Sequence, residues 1–276
     1  MRLLSIGEIL WDLFDGAAHL GGAPFNLAVH ARRLGHNVRF VSAVGDDDLG
    51  LAALAEARRL GIATDSIATV TRMPTGTVTV AVDAGGQPAF TIHRPAAYDC
   101  IPACGVDFEP DWICFGTLLQ MAPAMHRLTM ELIEAHPRAR RFYDVNLRPG
   151  NHTPELVRRL LGVANAVKVN DQEAAALGYQ SLGEFCRGWE AACVTRGADG
   201  CALQVNGEYR ECPGYAVKVV DTVGAGDAFS AAFLHGIAQG WPAERIGDFA
   251  NRVGALVASR AGATPEWEAG EVEVRS

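Results

Sequence analysis

Short β-branched or apolar runs alternate with longer amphipathic stretches along most of this chain, a rhythm of strand and helix. The spacing predicts strands at Leu3–Ile6, Asn37–Val44, Asp111–Phe115, Arg141–Val145, Ala166–Val169 and Ala192–Thr195. Predicted helices cover Pro24–Leu34, Leu49–Leu60, Ala124–Ala135 and Pro154–Ala164, with two more at Asp227–Gln239 and Phe249–Ser259. The punctuation agrees with the periodicity. Pro24 stands in the first turn of its helix and Gly35 just past its end; Gly61 closes the second helix, and Thr153 is placed to cap the fourth. Strands separated by helices imply a mostly parallel sheet covered on both faces. Two stretches depart from this rhythm. Cys201–Cys212 reads as a hairpin around Asn206-Gly207, and Thr77–Val82 with Pro88–His93 reads as a second hairpin around Asp83-Ala84-Gly85-Gly86. The second is a candidate lid, a dimer edge or an edge extension of the main sheet.

Composition narrows the function. With 276 residues, 49% of them hydrophobic, the chain can bury the core of one large α/β domain or two small ones. The net charge of −8 is scattered rather than blocked, which argues against a nucleic-acid or membrane-surface partner. An anionic substrate would need a locally built positive site. Lys168 and Lys218 are the only lysines, and neither follows a glycine, so no G-x-x-x-x-G-K-[ST] phosphate loop exists. No G-x-G-x-x-G follows a strand, which disfavours a dinucleotide oxidoreductase. The seven cysteines have irregular spacing and no C-x-x-C, as expected of reduced thiols in a cytosolic protein. No histidine pair has zinc-site spacing, and no apolar run reaches membrane-spanning length. Cytoplasm is the default expectation.

The chemistry concentrates in glycine-rich turns. Val217–Val220 predicts a strand, Asp221-Thr222-Val223-Gly224-Ala225-Gly226 a tight turn, and Asp227 opens a helix. Unpaired N–H groups at such a helix start form an anion site. A carboxylate there repels a resting phosphate but suits a base that deprotonates a hydroxyl beside one. An ordinary αβ loop with an Asp cap would carry the same letters. Gly21-Gly22-Ala23-Pro24-Phe25-Asn26 is a second such turn; Asn26 and Asp12 offer polar groups to a polyhydroxylated ligand soon after the first strand. Asn170-Asp171-Gln172-Glu173 follows another strand, where Glu173 could organise Mg²⁺ through water or simply start a helix. Thr195-Arg196-Gly197-Ala198-Asp199-Gly200 could line a nucleotide or turn the chain.

Taken together, Gly-Gly-Ala-Pro-x-Asn, Thr-x-Gly-x-x-Gly and above all Asp-Thr-x-Gly-Ala-Gly-Asp resemble the PfkB (ribokinase-like) carbohydrate kinases, in that family's order and across about the whole chain. The resemblance implies an α/β/α sandwich with a small β lid, here a single domain of residues 1–276 with lid segments at about 12–21 and 77–93. It implies ATP-dependent phosphorylation of a sugar, with Asp227 as base and Gly224, Ala225 and Gly226 as the anion hole. Asp12, Gly22 and Asn26 would hold the sugar; Asn170 and Glu173 would serve Mg²⁺ and phosphate; Thr195, Gly197 and Asn251 would lie along ATP. Asp221, the Val223 carbonyl and Gly262 resemble the family's monovalent-cation site, which would take K⁺. Gly7-Glu8-x-Leu10-x-Asp12 and Asp144-Val145-Asn146-Leu147-Arg148 look most like the fructokinase branch, with Arg94 and Arg148 as further substrate contacts. Arg148 could equally pair with Asp144. Ribokinase, 2-keto-3-deoxygluconate kinase and nucleoside kinase are the alternatives within the family, Phe25 being the one residue suggestive of base stacking. A non-catalytic sugar or nucleotide sensor on the same fold is the alternative outside it, and the presence of Asp227 argues against a sensor. A homodimer through the lid is the expected assembly.

Overall fold

The structure is a computed structural model that describes residues 1–14, 17–82, 88–103 and 106–272; the predicted Asp83–Gly86 turn and Cys104 lie outside them. Thirteen strands are present among the described residues. They are β1 (Arg2–Ile6), β2 (Leu10–Phe14), β3 (Ala17–Gly21), β4 (Asn37–Gly45), β5 (Ile67–Val70), β6 (Gly76–Val82) and β7 (Pro88–His93). The second half adds β8 (Trp112–Gly116), β9 (Arg140–Asp144), β10 (Ala166–Asn170), β11 (Ala191–Thr195), β12 (Cys201–Val205) and β13 (Glu208–Cys212). The helices are α1 (Ala23–Arg33), α2 (Asp48–Arg59), α3 (Thr117–Gln120), α4 (Pro123–Ala135) and α5 (Pro154–Val163). After them come α6 (Asp171–Ala176), α7 (Leu182–Cys186), α8 (Ala225–Ala238) and α9 (Ala243–Ala258).

Nine strands form one sheet in the order β13-β12-β11-β10-β9-β8-β1-β4-β5. It is parallel from β11 through β5 and antiparallel at the β11-β12-β13 edge, where the Asn206-Gly207 hairpin sits. Alternate residues of the parallel strands enter two separate cores. Leu3, Cys114, Phe142 and Ala166 pack with α1, α8 and α9; Leu4, Ile113, Tyr143 and Val167 pack on the α4 and α5 side. Burial on both faces explains why these strands read as continuous apolar runs. The expected three-layer α/β/α sandwich is therefore the observed architecture.

A second sheet has the order β3-β2-β6-β7. The 77–93 hairpin belongs to it and is not an extension of the main sheet, because β6 pairs with β2 in parallel, Leu10 opposite Gly76. One predicted strand is absent. Val217–Val220 is irregular, with Val219 and Val220 each 58% exposed. The run has strand propensity but no neighbouring strand to complete it, and β-propensity counts only where a pleated neighbour exists.

Candidate active site

Chain order reverses between β1 and β8: from β1 the chain steps to β4 on one side, and β8 to β11 follow on the other. Ligands of open α/β sheets bind at such a switch point, beyond the carboxyl ends of the strands. Glu8, Asp144, Arg148, Asn170 and Thr195 all stand at or just past those ends.

The turn before α8 is the candidate anion cradle. Gly224 is its N-cap, at φ 79°, and no side chain caps the helix; the Ala225 amide donates to the Thr222 carbonyl at 3.3 Å, which leaves the Gly226 and Asp227 N–H groups for an anion. A Cβ on Gly224 would lie 2.3 Å from the Ala263 carbonyl oxygen, so the turn rests directly on the Gly262–Ala263 loop. That loop is clamped from α1. His30 Nε2 is 3.0 Å from the Ala263 oxygen while Trp267 Nε1 donates to His30 Nδ1, and Arg33 donates to the carbonyls of Thr264 and Pro265. Asp221 closes the other side, accepting from the Val223 and Gly262 amides at 3.0 Å each.

Asp227 lies in the first turn of α8, and Asn26 Nδ2 of α1 donates to its Oδ2 at 2.8 Å. Burial, with the Asp144 charge added, pushes this carboxyl up to about 6, against the pull of Lys168, Asn26 and Arg148. It is thus ionised at neutral pH yet basic enough to accept a proton.

The Gly21–Gly22 turn brings the sugar-side candidates together. A Cβ on Gly21 would lie 2.9 Å from Asp12 Oδ2 and 3.8 Å from Asn26 Oδ1; one on Gly22, at φ 115°, would strike the Glu8 carbonyl. Burial raises Asp12 to about 6 and Glu8 to about 7, and the Arg148 charge opposes both shifts. The positive charge of Arg148 thus acts on Asp12, Glu8 and Asp227 alike. Its expected alternative partner is engaged elsewhere: Asp144 binds Lys168 Nζ at 3.1 Å and accepts from Ser230 Oγ at 2.8 Å. Arg94 does not join this group. Its guanidinium donates to both Asp99 oxygens and to the Leu118 carbonyl. Phe25 is fully buried, edge-on to Phe40, and offers no face to a base.

Asn170 and Glu173 form a capping box at the start of α6. Glu173 also accepts the Leu147 amide at 2.7 Å, so it fixes the loop carrying Arg148. Lys168 stands beside them, and a Cβ on Gly226 would lie 3.3 Å from its Nζ. Burial alone would lower its pKa, but Asp144, Glu173 and Asp227 outweigh this and raise it. The sequence reading used Lys168 only to exclude a phosphate loop. A lone cation inside a buried parallel strand was the available signal, because lysine is almost never buried unpaired.

A cavity of about 520 Å³ adjoins the cradle, lined by Thr195, Gly197, Val219, Ala225, Phe229 and Asn251 among others. Asn251 is buried and donates to the carbonyls of Cys212 and Pro213, holding one wall. Val217 and Val219 of the segment that failed to form a strand line this cavity instead, an apolar slot next to the candidate anion cradle.

Fold and site together define a phosphotransferase acting at a hydroxyl, and the family model of the pfkB carbohydrate kinases matches residues 12–269. The chain belongs to that family and is a carbohydrate kinase. It is 30% identical to a sugar kinase of Pyrococcus horikoshii, over 95% of this chain and 91% of that one. It is 29% identical to Fructokinase-1 of Oryza sativa subsp. japonica, over 99% and 96% of the two chains. Among solved structures, a fructokinase of Xylella fastidiosa with bound ATP superposes with a TM-score of 0.84 at 25% identity, covering 95% of this chain and 94% of that one.

Proposed function

We propose that this chain transfers the γ-phosphoryl of ATP to a primary hydroxyl of a neutral free sugar, a ketohexose such as fructose. One observation carries the substrate class. Glu8 and Asp12 border the Gly21–Gly22 turn and Asp227 is held there by Asn26, so three carboxyls gather on the sugar side of the cleft, while Lys168 is committed to Asp144. Carboxyls in excess over cations hold hydroxyls well and repel carboxylated or phosphorylated sugars. The likeness to fructokinases points the same way.

ATP would occupy the cavity beside Thr195, Gly197 and Asn251, with its phosphates at Gly224–Gly226. The sugar hydroxyl would attack phosphorus in line, its proton passing to Asp227 as the new O–P bond forms and ADP leaves. The N–H groups of the α8 turn would stabilise the charge that spreads over the transferring group. Asn170 and Glu173 would hold the hydration shell of an ATP-bound Mg²⁺, which would supply positive charge beside the phosphates. Asp221, the Val223 carbonyl and the Gly262 loop would hold K⁺; each Asp221 oxygen keeps a lone pair beyond its backbone bond. The β3-β2-β6-β7 sheet would close over the sugar and exclude water as a rival nucleophile.

A coupled assay of kcat/KM for fructose, ribose, 2-keto-3-deoxygluconate and adenosine decides the matter. Fructose is expected to lead. A tenfold advantage for another member would replace the ketohexose assignment, and ATP binding without turnover of any of them would favour a sensor.

A further inference from the structure

Three buried polar atoms between the Gly21–Gly22 turn and the root of the second sheet have no hydrogen-bond partner: Glu8 Oε2, Asn26 Oδ1 and the Tyr98 hydroxyl. Glu8 and Asn26 are 4% and 3% exposed and Tyr98 not at all. They belong to one place. Glu8 packs its Cγ beside Gly22, Asn26 faces Gly21, and the Tyr98 ring edge would be 2.5 Å from a Cβ on Gly76, at the root of the second sheet. The Glu8 and Tyr98 groups are close enough that ionised Glu8 raises the phenol, and Glu8 in turn feels Asp227. Leaving such an atom buried and unpaired forfeits the hydration it had in the unfolded chain with nothing in return. Three at one spot imply a polar partner that arrives with the ligand.

We propose that Glu8 is a further specificity-determining residue of this kinase. With Asn26 Oδ1 and the Tyr98 hydroxyl, it takes one sugar hydroxyl remote from the one phosphorylated. The inference rests on the neutral-sugar reading above. The hydroxyl donates to one orphaned oxygen and accepts from the Tyr98 O–H or from protonated Glu8. Burial holds Glu8 near neutrality, so the carboxyl can take either role. A sugar lacking that hydroxyl leaves the buried atoms unpaired, the arrangement that gives the strongest rejection. The Gly21–Gly22 turn, which ends β3, forms the wall beside them.

The test uses Tyr98→Phe, Glu8→Ala and Glu8→Gln, with the neutral sugar that the intact enzyme phosphorylates fastest and its set of monodeoxy analogues. Tyr98→Phe should lower kcat/KM for the parent sugar by roughly three- to tenfold and Glu8→Ala by more, with the KM for ATP unmoved. Glu8→Gln, which keeps a donor and an acceptor, should recover much of the Glu8→Ala loss. For one deoxy analogue the Tyr98→Phe loss should vanish. Losses equal across all analogues, or a matching rise in the KM for ATP, would show a merely structural role and overturn the inference. An intact enzyme that phosphorylates no neutral sugar overturns the substrate reading itself, with this inference.

Discussion

Asp227→Asn should remove activity and raise stability at once. The carboxyl is displaced from its ordinary value near 3.8 to about 6 because burial and Asp144 disfavour its charge. A displacement of that size corresponds to a ceiling of about 3 kcal/mol, at 1.36 kcal/mol for each factor of ten. Solvent reaching the cleft floor reduces this, and about 1–2 kcal/mol is the expected net penalty. The sign follows from proton counting. Between pH 4 and 6 the folded chain holds this proton more tightly than the unfolded one. Stability is therefore lost as pH rises through that window, and the penalty is complete above about pH 6. Asn cannot ionise, yet its amide oxygen can still accept from Asn26. The variant should melt about 2–6 °C above the parent at pH 7.5 and level with it near pH 4, by calorimetry without ligands. Its turnover should fall by roughly a hundredfold or more. A variant less stable than the parent at pH 7.5, or a gain independent of pH, would refute the electrostatic reasoning.

Asp12→Ala should raise the sugar KM by about one to two orders of magnitude and leave the KM for ATP nearly fixed; equal weakening toward both substrates would make Asp12 structural. Gly224→Ala should cost about 2 kcal/mol or more in denaturant unfolding and cut kcat by about a hundredfold, since its Cβ meets the Ala263 carbonyl at a φ of 79°. Normal turnover in that variant would dissolve the anion-cradle assignment. Lys168→Met leaves Asp144 buried with Ser230 as its remaining partner, and should destabilise by about 3–5 kcal/mol in urea titration. A change below about 1 kcal/mol would mean that the pair is not sequestered as described.

Local chemistry carried most of the fold into the sequence. The parallel strands were legible because both faces are buried, and both glycine turns because each precedes a helix. The second sheet was only half legible. Its hairpin repeats apolar and polar positions, but β2 reaches β6 across more than 50 residues and no local pattern marks that pairing. Val217–Val220 misled because propensity is local and sheet membership is not. Asp12, Asn26 and Asp227 meet as the motif order suggests, yet nothing near Arg94 in sequence shows that the Leu118 carbonyl shares its guanidinium with Asp99. Glu8 was read only as a motif letter, although an acid closing an apolar strand at a switch point is itself a signal.

The clamp from α1 to the Ala263 loop has a consequence for how the protein comes into being. His30 and Ala263 are separated by 233 positions, and Asn26 reaches Asp227 across 201. The turn before α8 is therefore assembled from segments far apart along the chain. Contacts of that separation close late and slow folding. A nascent chain can build β1, α1 and β4 before the α8 turn emerges with Asp227, and that turn has no support beneath it until Trp267 follows. On the proposed site, activity is expected only once the Ala263 loop has docked, and its appearance during synthesis would time that docking.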